Sequence, residues 1–92
     1  MSDVIPARTL IIPDGDSYSY EEARAFVKGY VEVVNSEFHK HPCQLIVHEE
    51  GLLLGLPLNK FISSMQVAQN RPESQQYIVG NVVVLIGSAR WD

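Results

Sequence analysis

The chain has one cysteine, Cys43, among its 92 residues. A single thiol excludes an internal disulfide framework and suits a reducing compartment. Long apolar runs are missing as well. The longest, Val82-Val83-Val84-Leu85-Ile86, falls far short of the roughly 20 residues that a bilayer-spanning helix needs. No basic stretch precedes an apolar one near the first residue, so no secretory signal is expected. Positive charge is scarce: Lys and Arg number 7 against 11 Asp and Glu, for a net charge of −4. Arg8, Arg24, Lys28, Lys40, Lys60, Arg71 and Arg90 are scattered, and no two adjoin. Nucleic-acid backbones are held by clustered cations that displace condensed counterions, so direct nucleic-acid binding is disfavoured. Repeats, low-complexity tracts and linkers are absent too, which points to one domain over 1–92.

What is present is an ordinary globular balance, 46% hydrophobic and 20% charged, unlike a disordered segment. A domain of this size buries only about 60–65% of its unfolded surface, so a partner or second subunit would help to stabilise it. Thr9-Leu10-Ile11-Ile12 is β-branched and apolar and reads as a strand, stopped by the turn residues Pro13-Asp14-Gly15-Asp16. Ser19 followed by Glu22 forms a capping box, and Ala23, Phe26, Val27 and Tyr30 then recur on one helical face. Gly29 is placed to end that helix in a left-handed conformation. Strands are expected over 30–34, 45–47 and 52–56, with 35–42 as a loop. Glu49-Glu50-Gly51 fits a three-residue hairpin loop with a bulge at the glycine. Asn59 is a good N-cap for a second helix striped by Phe61, Ile62, Met65 and Ala68 and ended at Arg71-Pro72. Residues 77–86 give the last strand, interrupted at Gly80-Asn81. The sum is an α+β fold in the order β-α-β-β-β-α-β: a small mixed sheet of about five strands with two helices on one face. The run 82–86 lacks alternation, which places it centrally or at an interface.

Three stretches carry a resemblance. Phe26-Val27-Lys28-Gly29-Tyr30-Val31-Glu32 resembles the helix-end element VGGYIE of the domain of unknown function family 3846. The run from Glu49-Glu50-Gly51 to Leu56-Pro57-Leu58-Asn59 resembles its element NEEGKLNGLPPN. Ile78-Val79-Gly80-Asn81-Val82-Val83-Val84 resembles its closing element IVGDVVV or IIAGTFF. Together they are spread over residues 26–84, in the family's order. His48 stands where the family often has asparagine, Val27-Lys28 alters its double glycine, and Leu58 replaces a common second proline. The family carries no established activity, so no catalytic residue transfers. The resemblance implies a small cytoplasmic accessory protein of the kind carried by bacteriophages, plasmids and bacteria.

The candidate chemistry is sparse. Glu49 and Glu50 could pair for acid–base work, but neighbours on a strand point to opposite faces, so they read as a solvated turn. His39, His41 and Cys43 alternate as ligand types, with His48 the nearest fourth, yet the spacing matches no standard zinc pattern and no metal is expected. Ser63-Ser64 has no visible base or oxyanion hole and reads as helix surface. Gly51, Gly55, Gly80 and Gly87 lack phosphate-loop spacing and read as turns. Tyr18, Tyr20, Tyr77 and Trp91 are aromatics suited to an interface or to stacking on a base. Joined by Arg24, Asn59, Lys60 and Arg71, they are the expected binding residues for a small anionic, nucleotide-like ligand.

These observations favour a non-enzymatic binding protein without a cofactor. It would occupy a host factor or sequester such a ligand to antagonise host defence, and it would form a homo-oligomer with pockets between subunits. The alternatives are an acidic inhibitor that mimics DNA, for which the acids must cluster, and a metal-dependent enzyme, for which no nucleophile–base pair is visible.

Overall fold

The computed structural model describes residues 6–64 and 78–92. The elements are β1 (Thr9–Ile12), α1 (Tyr20–Val27), β2 (Val31–Phe38), β3 (His41–His48), α2 (Lys60–Ser64) and β4 (Val82–Ile86), followed by a 3-10 turn at Gly87–Ala89. The strands form one mixed sheet in the order β1-β4-β3-β2. β1 runs parallel to β4, and the other two pairs are antiparallel. The fold is therefore α+β with a small mixed sheet, of four strands rather than five among the described residues.

β4 is central, as its missing alternation implied, and Val82, Val83, Val84 and Leu85 are wholly buried. Successive side chains leave a strand on opposite faces. Val82 and Val84 pack with Leu45, Val47 and Ile62 of α2, whereas Val83 and Leu85 pack with Ile46 and with Ala23 and Val27 of α1. The two helices therefore cover opposite faces, not one. A central strand with no polar face must be covered twice.

Helix α1 starts at the expected capping box. Glu22 N donates to Ser19 Oγ at 3.0 Å and Ser19 N to Glu22 Oε1 at 3.3 Å. Its end is set differently. Lys28, at φ 70°, takes the left-handed position and donates its N–H to Arg24 O at 2.7 Å. Gly29 serves packing instead, because a Cβ there would run into His48 Nε2.

β2 and β3 form an eight-by-eight hairpin, paired from Val31↔His48 to Phe38↔His41. The loop expected over 35–42 is thus mostly strand. Only His39 and Lys40 turn, both at positive φ (49° and 67°), which is the twist that a two-residue hairpin loop requires. The strand expected over 52–56 does not form. β3 already has β2 on one side and β4 on the other, so no edge is left for a 52–56 strand beside it. Residues 49–55 make consecutive turns instead, closed by Gly51 N to His48 O (3.2 Å), Leu54 N to Glu50 O (3.0 Å) and Leu56 N to Gly51 O (3.1 Å). Positive φ falls at Gly55 (66°), not at Gly51.

Asn59 caps α2 as expected, accepting from Ile62 N at 3.1 Å. The stripe positions Met65 and Ala68 and the Arg71-Pro72 stop lie outside the described residues. The interruption before β4 is real. Gly80 has φ 78°, and Asn81 donates from Nδ2 to Phe26 O at 2.9 Å, satisfying a carbonyl at the end of α1.

Candidate docking surface

β3 ends in a stitched root. Glu49 N donates to Tyr30 O at 2.9 Å, and Glu50 N donates to His48 Nδ1 at 3.0 Å. From that root the turns of 49–55 carry three successive leucines outward: Leu52, Leu53 and Leu54 are 63%, 85% and 59% exposed. Leu58 and Phe61 are exposed further along the chain. A cleft of about 350 Å³ lies beside the leucines, with Val47 and Ile78 behind it and Glu32, Glu49 and Glu50 among its lining. No Lys or Arg stands among its described lining residues. Glu49 and Glu50 are solvated turn residues as expected, and both line one cleft.

The expected ligand residues separate into groups. Tyr18, Tyr20 and Trp91 do meet, at the start of α1. The Tyr20 and Trp91 rings lie 6.0 Å apart at 55°. Trp91 Nε1 donates to Tyr18 O at 2.8 Å, and Gln44 holds the Trp91 backbone from both sides at 2.9 and 2.7 Å. Tyr18 and Trp91 pack onto the α1-side core, and burial pushes the Tyr18 phenol above its ordinary pKa. Arg24 lies with its guanidinium 4.4 Å from the centre of the Tyr30 ring. Asn59 is fully buried and donates to Gly80 O (3.1 Å) and Arg8 O (3.4 Å), while its Oδ1 accepts from Thr9 Oγ1 and Ile62 N (both 3.1 Å). With both side-chain polar atoms engaged, Asn59 ties β1, α2 and the Gly80 corner together. Lys60 follows it, exposed. Arg71 and Tyr77 lie outside the described residues.

His39 sits in the hairpin turn, while Cys43 is buried. Burial pushes the Cys43 thiol up to about 11, which keeps it protonated and unreactive at neutral pH. Among the described residues, no group of three or more His, Cys, Asp or Glu side chains gathers to hold a metal ion. Ser63 and Ser64 fall in α2.

Leu52, Leu53 and Leu54, expected within a strand, instead stand on turns and form an exposed surface. The available signal was a run of three apolar residues directly after the turn chemistry of Glu49-Glu50-Gly51, a pattern that is out of place on a soluble surface unless something covers it.

The family model described as Domain of unknown function (DUF3846) matches residues 4–90 of the chain. No curated protein matches the chain, and no solved structure does.

Proposed function

The chain belongs to the DUF3846 family, which offers no activity to inherit, and on that premise we propose that it is a non-enzymatic accessory binding protein that occupies a protein of its host. The carrying observation is the leucine turn. Fully burying one leucine side chain is worth about 1.5–3 kcal/mol, yet three in a row stand in solvent on a turn held by backbone hydrogen bonds. Contiguous exposed apolar surface of this kind marks interaction sites. The phage and plasmid setting implied by the family resemblance makes the partner a host factor and antagonism of host defence the use. The acidic-inhibitor reading draws on the three carboxylates beside the same leucines and describes the same surface by its charge.

The test places a photo-reactive residue at Leu53 in the full chain, expressed in bacterial cells. A discrete adduct with one host protein, lost on Leu52→Ser with Leu54→Ser, is the expected result. A diffuse smear, or an adduct of only twice the chain's own mass, would overturn the reading. Sequestration of a small anionic ligand is the second reading, favoured by the Tyr20–Trp91 ring pair. A thermal-shift screen with cyclic and linear nucleotides, run beside light scattering, tests it together with the oligomeric state. A shift of several degrees that Tyr20→Ala removes would replace the first reading.

A further inference from the structure

We infer that the occupant of the leucine turn is a basic amphipathic segment of another protein, which seats apolar side chains on Leu52, Leu53 and Leu54 and extends Lys or Arg into the adjacent cleft. The inference rests on the docking reading above and adds the chemistry of the partner. Glu32 reaches the cleft from β2, while Glu49 and Glu50 reach it from the turn. Two separate elements thus contribute acidic residues to the cleft that Leu52 and Leu53 also line. The described lining contains no Lys or Arg to neutralise them. Lys60, which adjoins Phe61 in sequence, is not among that lining.

The charge pattern selects among occupants. A second copy of the chain, docked by two-fold symmetry, would set this patch against itself and bring carboxylates against carboxylates around the leucines. The net charge of −4 adds to that repulsion. A lipid surface is the wrong complement too, because segments that lie in a bilayer interface pair their apolar side chains with Lys and Arg, which anionic headgroups attract. A basic amphipathic segment answers both halves of the patch. It covers the leucines, as helix-in-groove partners do, and its cations meet the carboxylates, which speeds the encounter and fixes the orientation.

The test records amide NMR spectra of the full chain during titration with a short helical peptide of leucine and lysine, and with its leucine–glutamate counterpart. The lysine peptide is expected to shift resonances of residues 47–54 and 78–79 and to weaken as salt is raised. The glutamate peptide is expected to bind about tenfold more weakly or worse. Leu53→Asp should abolish the shifts, and so should Glu49→Lys with Glu50→Lys. Since both sites are exposed turn positions, the unchanged remainder of each spectrum shows that the variant is folded. Equal shifts from both peptides, or none from either, would overturn the inference. It would equally fall if these residues shift with protein concentration alone, pointing to a second copy, or only with phosphatidylglycerol vesicles, pointing to lipid. If Leu52→Ser with Leu54→Ser removes the host adduct in cells while Glu49→Lys with Glu50→Lys leaves it, the docking reading stands and this inference falls. If no host adduct forms at all, the docking reading itself falls.

Discussion

Asn59 shows how much one side chain can hold. Its role as a helix cap was legible, because the cap and Ile62 lie three residues apart. The bonds to Thr9, Arg8 and Gly80 come from distant parts of the chain, and no local pattern announces them. Asn59→Ala removes the cap and leaves buried partners unsatisfied, so a loss of about 2–4 kcal/mol is expected in urea unfolding. A loss below ~1 kcal/mol would mean that water takes over these bonds. Asp14 gives a pH signature. The Ser88 backbone N–H donates to its carboxylate at 2.7 Å, and this hydrogen bond is the main cause holding the group below its ordinary value of 3.8. A carboxylate with a depressed folded-state pKa adds stability above the unfolded value, and that stability is lost as pH falls through the folded one. The unfolding midpoint should therefore drop below about pH 3.8, and part of that acid-side decline should vanish in Asp14→Asn.

At the scale of elements, legibility followed locality. The capping box and start of α1 match the structure, and Ala23 and Val27 are buried as its face implied, but the helix ends at Val27, so Tyr30, expected on the same face, lies beyond it and is exposed. Its end was misassigned by one residue, because the left-handed position went to Lys28 while Gly29 was needed for contact with His48. Two substitutions separate these roles. Lys28→Gly relieves a left-handed cost of roughly 1–2 kcal/mol and should raise stability by up to about 1 kcal/mol, glycine's own flexibility offsetting the rest. Gly29→Ala pushes a methyl into the His48 ring and should lower stability by about 1–3 kcal/mol. Thermal unfolding of the pair checks both signs, and a neutral Gly29→Ala would mean that His48 simply swings away. The β2–β3 hairpin escaped notice because its turn is His39-Lys40 rather than the Asn-Gly that usually marks such loops. The 52–56 stretch looked like a strand because apolar character is local, whereas the absence of a free edge beside β3 belongs to the assembled sheet. β2 itself is an edge strand among the described residues. Its charged Glu32 and Glu37 blunt indiscriminate pairing.

At the scale of the molecule, β1 joins the sheet, among the described residues, only through β4. The Arg8–Asn81 hydrogen bond at the start of that pairing spans 73 residues, and the Asp14–Ser88 bond at its far end spans 74. Closure over such separations costs entropy before any contact repays it, so refolding is expected in the millisecond-to-second range rather than in microseconds. Trp91, the only tryptophan, is held by Gln44 and Tyr18, and its fluorescence in a stopped-flow jump reports the step. A single microsecond phase would contradict this picture. The same connection has a consequence for synthesis. A ribosome making this chain completes β1, α1, β2 and β3 before β4, the strand that joins β1 to β3. Until Ile86 emerges, Leu45 and Ile46 have no β4 to cover them. The central strand is thus made after the three it organises, so β1 and β3 cannot be joined into one sheet until residues 82–86 exist.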